Sequence, residues 1–209
     1  MFLKPSALLR ILFHNQLWKV KTKEKKVYLT FDDGPVPEIT EWVLDVLRAE
    51  NIKATFFCIG DNIRKHPLIF EKIIADGHTI GNHSFHHIKG WGCTASAYFQ
   101  DVEDCRREIE KHHKIKSHLF RPPYGKITPV QTAGLLKRGY RIVMWDIVSK
   151  DYDQQFGVAK SLQMVTENVS KGSIIVFHDS IKAYDTLQQF LPKCIEVLKT
   201  RGYTFAVLN

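Results

Sequence analysis

Long apolar runs are missing from this chain of 209 residues, and several function classes go with them. Near the N-terminus Leu8-Leu9 and Ile11-Leu12-Phe13 are separated by Arg10. No stretch there reaches the length of a signal-peptide core or a membrane-crossing helix. Cysteine is scarce: Cys58, Cys93, Cys105 and Cys194 form no C-x-x-C pair. Cys58 falls in an apolar strand-like run and Cys194 in a helical pattern, where a thiol packs as a small hydrophobe. A reducing compartment, with a cytoplasmic location as the default, is the expectation. Low-complexity segments and domain linkers are absent, so the chain reads as one domain, long enough to bury a core without disulfide or structural-metal support. No recognition motif accompanies the net charge of +8, so nucleic acid is not an expected partner. Oligomeric state is left open.

What is present is an ordinary globular composition, 44% hydrophobic and 25% charged. Part of the positive excess is local. Lys19, Lys21, Lys23, Lys25 and Lys26 crowd into eight residues opposed by Glu24, as a solvated loop or strand edge does; phosphate, an anionic glycan or a membrane surface is the less favoured use. Residues 1–26 read as an extension, a short amphipathic helix and a basic segment covering one end of the fold, with residues 27–209 as the domain itself.

From residue 27 onward two kinds of segment alternate. Apolar, β-branched or aromatic runs recur at 27–31, 54–59, 78–81, 118–121, 141–146, 173–178 and 203–208. Helical spacing appears in Trp42, Leu44, Val46 and Leu47, in Ile69, Ile73 and Ile74, and over 98–111, 129–137, 158–169 and 187–199. Gly77, Gly139, Gly172 and Gly202 stand where helices should stop. This alternation predicts right-handed βαβ units around a parallel sheet. An open doubly wound sheet would carry a glycine-rich phosphate loop after its first strand; Asp32-Asp33-Gly34-Pro35 stands there instead. The prediction is an α/β fold, a distorted (β/α)7-type, TIM-like barrel, with its site at the C-terminal strand ends.

The unusual polar residues fall at those ends: Asp32 and Asp33 after the first strand, His83 and His87 after the third, Arg121-Pro122-Pro123-Tyr124 after the fourth, Asp151 after the fifth, His178-Asp179 at the sixth. Adjacent like charges raise the cost of ionising each other, although Asp-Asp-Gly could also be a plain turn. His83 and His87, four apart, would share one face of a helical turn. Two imidazoles with a carboxylate are the ligand set of a catalytic divalent metal. His86, and His112 and His113 on a charged helix, read as surface residues.

Thr30-Phe31-Asp32-Asp33-Gly34-Pro35, His83-Ser84-x-x-His87, Arg121-Pro122-Pro123-Tyr124 and Val176-Phe177-His178-Asp179 together resemble the motifs of the carbohydrate esterase family 4, or NodB-like, polysaccharide deacetylases, in the same order over residues 27 to 208. The resemblance implies a metal-dependent hydrolase acting on carbon–nitrogen non-peptide bonds, removing acetyl groups from an N-acetylated saccharide. It implies Asp32 as general base, Asp33, His83 and His87 as metal ligands, Arg121 orienting Asp32, the Tyr124 N–H as oxyanion donor, and His178 as general acid held by Asp151. The metal expected is Zn2+, with Co2+, Ni2+ or Mn2+ as alternatives. Tyr124, Tyr152, Trp91 and Ile175 are the expected substrate contacts; Trp91 could equally pack a loop onto the barrel.

The chain departs from the family pattern after the fifth strand. The family's D-x-x-D-W reads Val148-Ser149-Lys150-Asp151-Tyr152 here, which puts the usual substrate in doubt. Alternatives are a deacylase of another acyl group or of a lipid-linked sugar, and a saccharide-binding homologue without turnover. O-deacetylation also stays open.

Overall fold

Alternating side chains along one strand divide the molecule into two packed zones. In a computed structural model describing residues 5–112 and 117–209, strand β1 (Lys26–Asp32) turns Val27, Leu29 and Phe31 toward the helices. Tyr28, Thr30 and Asp32 take the opposite face, as period-two geometry requires. His113 and residues 1–4 of the predicted extension lie outside the described residues.

Around β1 stand β2 (Thr55–Cys58), β3 (Thr79–Asn82), β4 (Leu119–Phe120), β5 (Arg141–Ile142), β6 (Ile147–Val148), β7 (Ile174–His178) and β8 (Thr204–Phe205). The parallel sheet runs β5-β4-β3-β2-β1-β7-β6, and β8 joins the start of β1. Helices α2 (Ile39–Ala49), α3 (Gly60–Lys65), α4 (Pro67–Ala75), α5 (Ala95–His112), α6 (Pro129–Lys137), α7 (Val158–Asn168) and α8 (Tyr184–Thr200) cover it; α1 (Ala7–Leu12) precedes it. The sheet is the curled, distorted (β/α)7 barrel that the alternation predicts.

The helix-side core is dense. Phe31 stacks on Phe56 at 5.0 Å and on Phe177 at 5.4 Å between ring centroids. Each such side chain contributes about 1.5–3 kcal/mol through burial. Gly77 (φ 76°) closes α4 as the pattern predicts, its N–H bonded to Ile74 O, in a conformation a Cβ would strain. The four cysteines are unpaired. No helix among the described residues is long and apolar enough to cross a membrane.

The predicted fifth strand, 141–146, is two short strands. Val143 N–H still bonds to Phe120 O of β4, but beyond it the chain leaves that pairing: Met144 N–H bonds to Leu17 O and Asp146 N–H to Ile174 O. The Arg121 guanidinium draws in the Val143 and Met144 carbonyls, at 3.3 and 3.0 Å, so they cannot serve a strand ladder. This leaves a seam between β5 and β6 that the N-terminal segment fills. Leu17 pairs with Val143 and Lys19 with Ser173. Buried Asp146 is met by Arg10, by Lys19 at 3.7 Å and by the Ser173 hydroxyl. Leu9 and Phe13 pack against Trp18, Ile127, Trp145 and their neighbours, while Leu8, Ile11 and Leu12 face outward.

Candidate active site

The register of the central strands decides what meets what. Asp32 on β1 pairs directly with His178 on β7, so a carboxylate and an imidazole emerge side by side at the C-terminal rim. Asp33, one residue on, has a left-handed backbone (φ 87°) that turns its side chain back to the same cleft instead of across the sheet. Gly34 follows because nothing larger fits: a Cβ there would stand 1.9 Å from Asp179 Oδ2. Buried Asp179 accepts the Gly34 N–H at 3.1 Å and the Thr40 hydroxyl at 2.6 Å, and burial pushes its pKa up to about 8. Asn62 holds the same turn by donating to the Asp33 carbonyl at 2.7 Å.

His83 and His87 do not ride on a helical turn, as their spacing predicts. Residues 83–89 form an irregular loop in which Ser84 (φ 64°) and His87 (φ 55°) are left-handed. Side chains take over the backbone donors that a helix would have satisfied internally. Asn82 accepts the Ser84 N–H at 2.8 Å, and Asp101 accepts those of Phe85 and His86 at 2.8 and 3.1 Å. The loop nevertheless brings the imidazoles together, 5.0 Å between centroids. His86 turns away to Asp101. Asp101 is absent from the sequence reading; its trace is a carboxylate on the buried stripe of α5, beside Tyr98, Val102 and Cys105.

Asp33 Oδ1 lies 3.3 Å from His87 Nε2 and 3.7 Å from His83 Nε2. It is buried and accepts no hydrogen bond from the protein, an acceptor left for something else to satisfy. Desolvation raises the Asp33 pKa, offset in part by His178 and His87. Burial drives His83 down to about 3, and burial with the neighbouring His83 drives His87 down to about 4, so both are neutral with lone pairs available. His83 Nδ1 is occupied by the Arg121 carbonyl at 2.8 Å, which leaves Nε2 as the free donor atom. This donor set fits a divalent cation.

Arg121 is fully buried. Its guanidinium donates to Asp32 Oδ1 at 2.6 Å and to the Thr30 hydroxyl at 2.8 Å, and it stacks 4.1 Å from the Phe57 ring centroid. Burial lowers its pKa and the Asp32 charge opposes that. On the other side Asp151 grips His178 twice: Oδ1 is 2.8 Å from Nδ1, and Oδ2 accepts the backbone N–H at 2.8 Å. Burial alone would lower the His178 pKa, but Asp151, Asp33 and Asp32 outweigh it and raise it to about 9.

These groups open into one cleft of about 890 Å3, walled by Pro122, Tyr124, Trp145, Tyr152 and Val176. Tyr124 (φ 58°) stands 4.6 Å from the His87 ring and Tyr152 is edge-on to His178 at 4.9 Å. Two expected substrate contacts stand elsewhere. Ile175 is fully buried on the helix side of β7, and Val176 faces the cleft in its place, because neighbouring strand residues point to opposite faces. Trp91 lies in an adjoining apolar pocket with Phe13 and Trp18, its indole N–H on the Ile127 carbonyl. Trp145 joins the cleft wall unforeseen, carried there by the break in the fifth strand.

A family model described as polysaccharide deacetylase matches residues 19–143. A peptidoglycan-N-acetylglucosamine deacetylase of Bacillus cereus is 33% identical over 193 residues, covering 92% of this chain and 90% of its own. The peptidoglycan-N-acetylmuramic acid deacetylase PdaA of Bacillus subtilis is 31% identical over 195 residues, covering 90% of this chain and 72% of its own. Among solved structures, a peptidoglycan N-acetylglucosamine deacetylase in complex with 4-naphthalen-1-yl-N-oxidanyl-benzamide superposes with a TM-score of 0.88 at 30% identity, over 93% of this chain and 91% of that one.

Proposed function

This chain belongs to the polysaccharide deacetylase family, and from that premise we propose that it removes the acetyl group from an N-acetylated saccharide, with Asp32 as base and His178 as acid. Membership makes it a hydrolase of carbon–nitrogen bonds other than peptide bonds. The observation that carries the finer reading is the orphaned Asp33 Oδ1 between two neutral imidazole nitrogens, directly beside an arginine-paired carboxylate.

Asp33, His83 and His87 would hold a divalent cation, zinc first by donor type, which when bound would polarise the acetamide carbonyl and make water easier to deprotonate. Asp32 takes the proton of the attacking water, and the pairing with Arg121 fixes its rotamer. The rigid Pro122-Pro123 turn offers the Tyr124 N–H to the developing oxyanion. His178, protonated at neutral pH with its ring held by Asp151, gives its proton to the departing amine. The reading without turnover has less support, since Asp32, Asp33, His83, His87 and His178 all line one cleft. Zinc-loaded protein should release acetate from acetylated chito-oligosaccharides or peptidoglycan fragments, and formate release from their formylated counterparts in preference would favour the reading with another acyl group. A protein that binds zinc yet turns over no acylated sugar contradicts the proposal.

A further inference from the structure

Helix α1 is apolar on two sides. With about 3.6 residues per turn, Leu9 and Phe13 share one face and Leu8, Ile11 and Leu12 another. Leu9 and Phe13 pack inward against the Trp18 cluster, and Arg10 is turned to Asp146. Leu8, Ile11 and Leu12 face solvent, 66%, 69% and 64% exposed. A single exposed leucine means little, since much of any protein surface is apolar. Three on one face of a short helix form a patch, and such patches mark interaction surfaces. Trp91, 67% exposed, extends it: with Leu9 and Phe13 it lines an apolar pocket of about 330 Å3 beside the helix.

The charge around this patch has one sign. The segments that build it, 5–23, 77–100 and 117–145, contain no Asp or Glu. Among the described residues that line the pocket, Lys126 is the charged one. Its ammonium lies 5.2 Å from the Trp91 ring centroid, and that of Lys89 lies 4.8 Å from the ring of Tyr124, another pocket wall. Lysine stems laid on apolar rings in this way keep their charged heads toward water. Outward aliphatic side chains, an indole with an apolar body and one polar edge, and cations without neighbouring carboxylates suit the headgroup layer of an anionic bilayer. A six-residue helix is too short to cross a membrane, so α1 would lie in its surface plane.

We propose that this face docks on an anionic membrane surface, with Leu8, Ile11, Leu12 and Trp91 entering the boundary between headgroups and acyl chains and Lys89 and Lys126 meeting lipid phosphates. The pocket and the cleft share Tyr124, Lys126 and Trp145 as walls, so docking brings the mouth of the cleft close to the bilayer. The contact does not depend on which reaction the cleft performs.

The test is flotation of the full chain with vesicles of phosphatidylcholine alone, or with about one-third phosphatidylglycerol. The parent should bind the anionic vesicles about ten-fold more tightly than the neutral ones, and about 0.5 M salt should erase the difference. Leu8→Ser, Ile11→Ser and Leu12→Ser combined should weaken binding to anionic vesicles about ten-fold or more, with the thermal transition unmoved because these side chains are exposed. Lys89→Gln with Lys126→Gln should remove most of the anionic preference and leave binding to neutral vesicles unchanged. Lipids brominated in the acyl chain should quench tryptophan emission in the parent and much less in Trp91→Phe, a signal that electrostatic adsorption alone would not produce. Absence of flotation, a triple serine variant that floats like the parent, or quenching unmoved by Trp91→Phe overturns the proposal. So does a parent that elutes as a dimer while the serine variant elutes as a monomer, because the patch would then belong to a second copy of the chain.

Discussion

The backbone carbonyl of Arg121 accepts a hydrogen bond from His83 Nδ1 at 2.8 Å, while the side chain of Arg121 grips Asp32. One buried residue thereby sets the tautomer of an imidazole and the rotamer of a carboxylate. Arg121→Leu would strand Asp32 without its partner, a loss of about 3–5 kcal/mol for a buried pair. Urea unfolding should show it. Arg121→Lys should recover part of the stability but little activity, because an ammonium cannot reach Asp32, Thr30 and two carbonyls at once. A leucine variant within about 1 kcal/mol of the parent would mean that the pair stabilises little.

The adjacent aspartates should fail differently. Asp33→Ala removes the atom between His83 and His87 and should lose bound zinc, measured as metal per chain after gel filtration. Asp32→Asn should retain zinc and lose about 10²–10⁴ in kcat, the usual worth of a positioned base. Loss of metal in both variants would remove the distinction between them.

The pH profile follows from His178. The protonated ring is the active form, and its pKa is raised to about 9, so kcat/KM should hold through neutrality and fall as pH rises through about 9. A cation on Asp33 cancels that carboxylate's share and draws the limb somewhat lower, with Asp151 still dominant. Asp151→Asn should move the basic limb toward lower pH, since burial is then opposed by less negative charge. An unmoved limb would mean that another group limits the rate.

Gly34→Ala forces a methyl into the Asp179 carboxylate, which is itself fixed by Thr40. Overpacking of this kind costs about 1–3 kcal/mol, and here it also displaces Asp33. Lowered thermal stability together with weakened zinc affinity is the expected result; a fall in stability alone would separate the turn from the cation site.

Periodicity made the helices and most strands legible, because apolar spacing reports which face is buried. It could not show the break after Ile142, since Val143 and Met144 are apolar enough for a strand and yield their carbonyls to the Arg121 side chain, 22 and 23 residues earlier in sequence. The gathering of Asp32, His83, Arg121 and His178 on one rim was readable, because strand ends in a parallel barrel share a face. The loop that carries His87 was not, because Asn82 and Asp101 hold it through backbone donors that leave no spacing signature. Ile175 against Val176 is a matter of phase: with Asp32 opposite His178, the residue two before His178, and not three, shares its face.

Leu17 does more than fill the gap between β5 and β6, the two ends of the sheet. An uncovered strand edge is a template onto which another chain can add, and Leu17 occupies the hydrogen-bonding groups of Ile142 and Met144 that β5 would otherwise present. The opening segment thus covers an edge that would otherwise be open to pairing. Cutting the chain back past Lys19 should bare that edge and leave the Asp146 carboxylate uncompensated, a truncation that precipitates before it can be assayed.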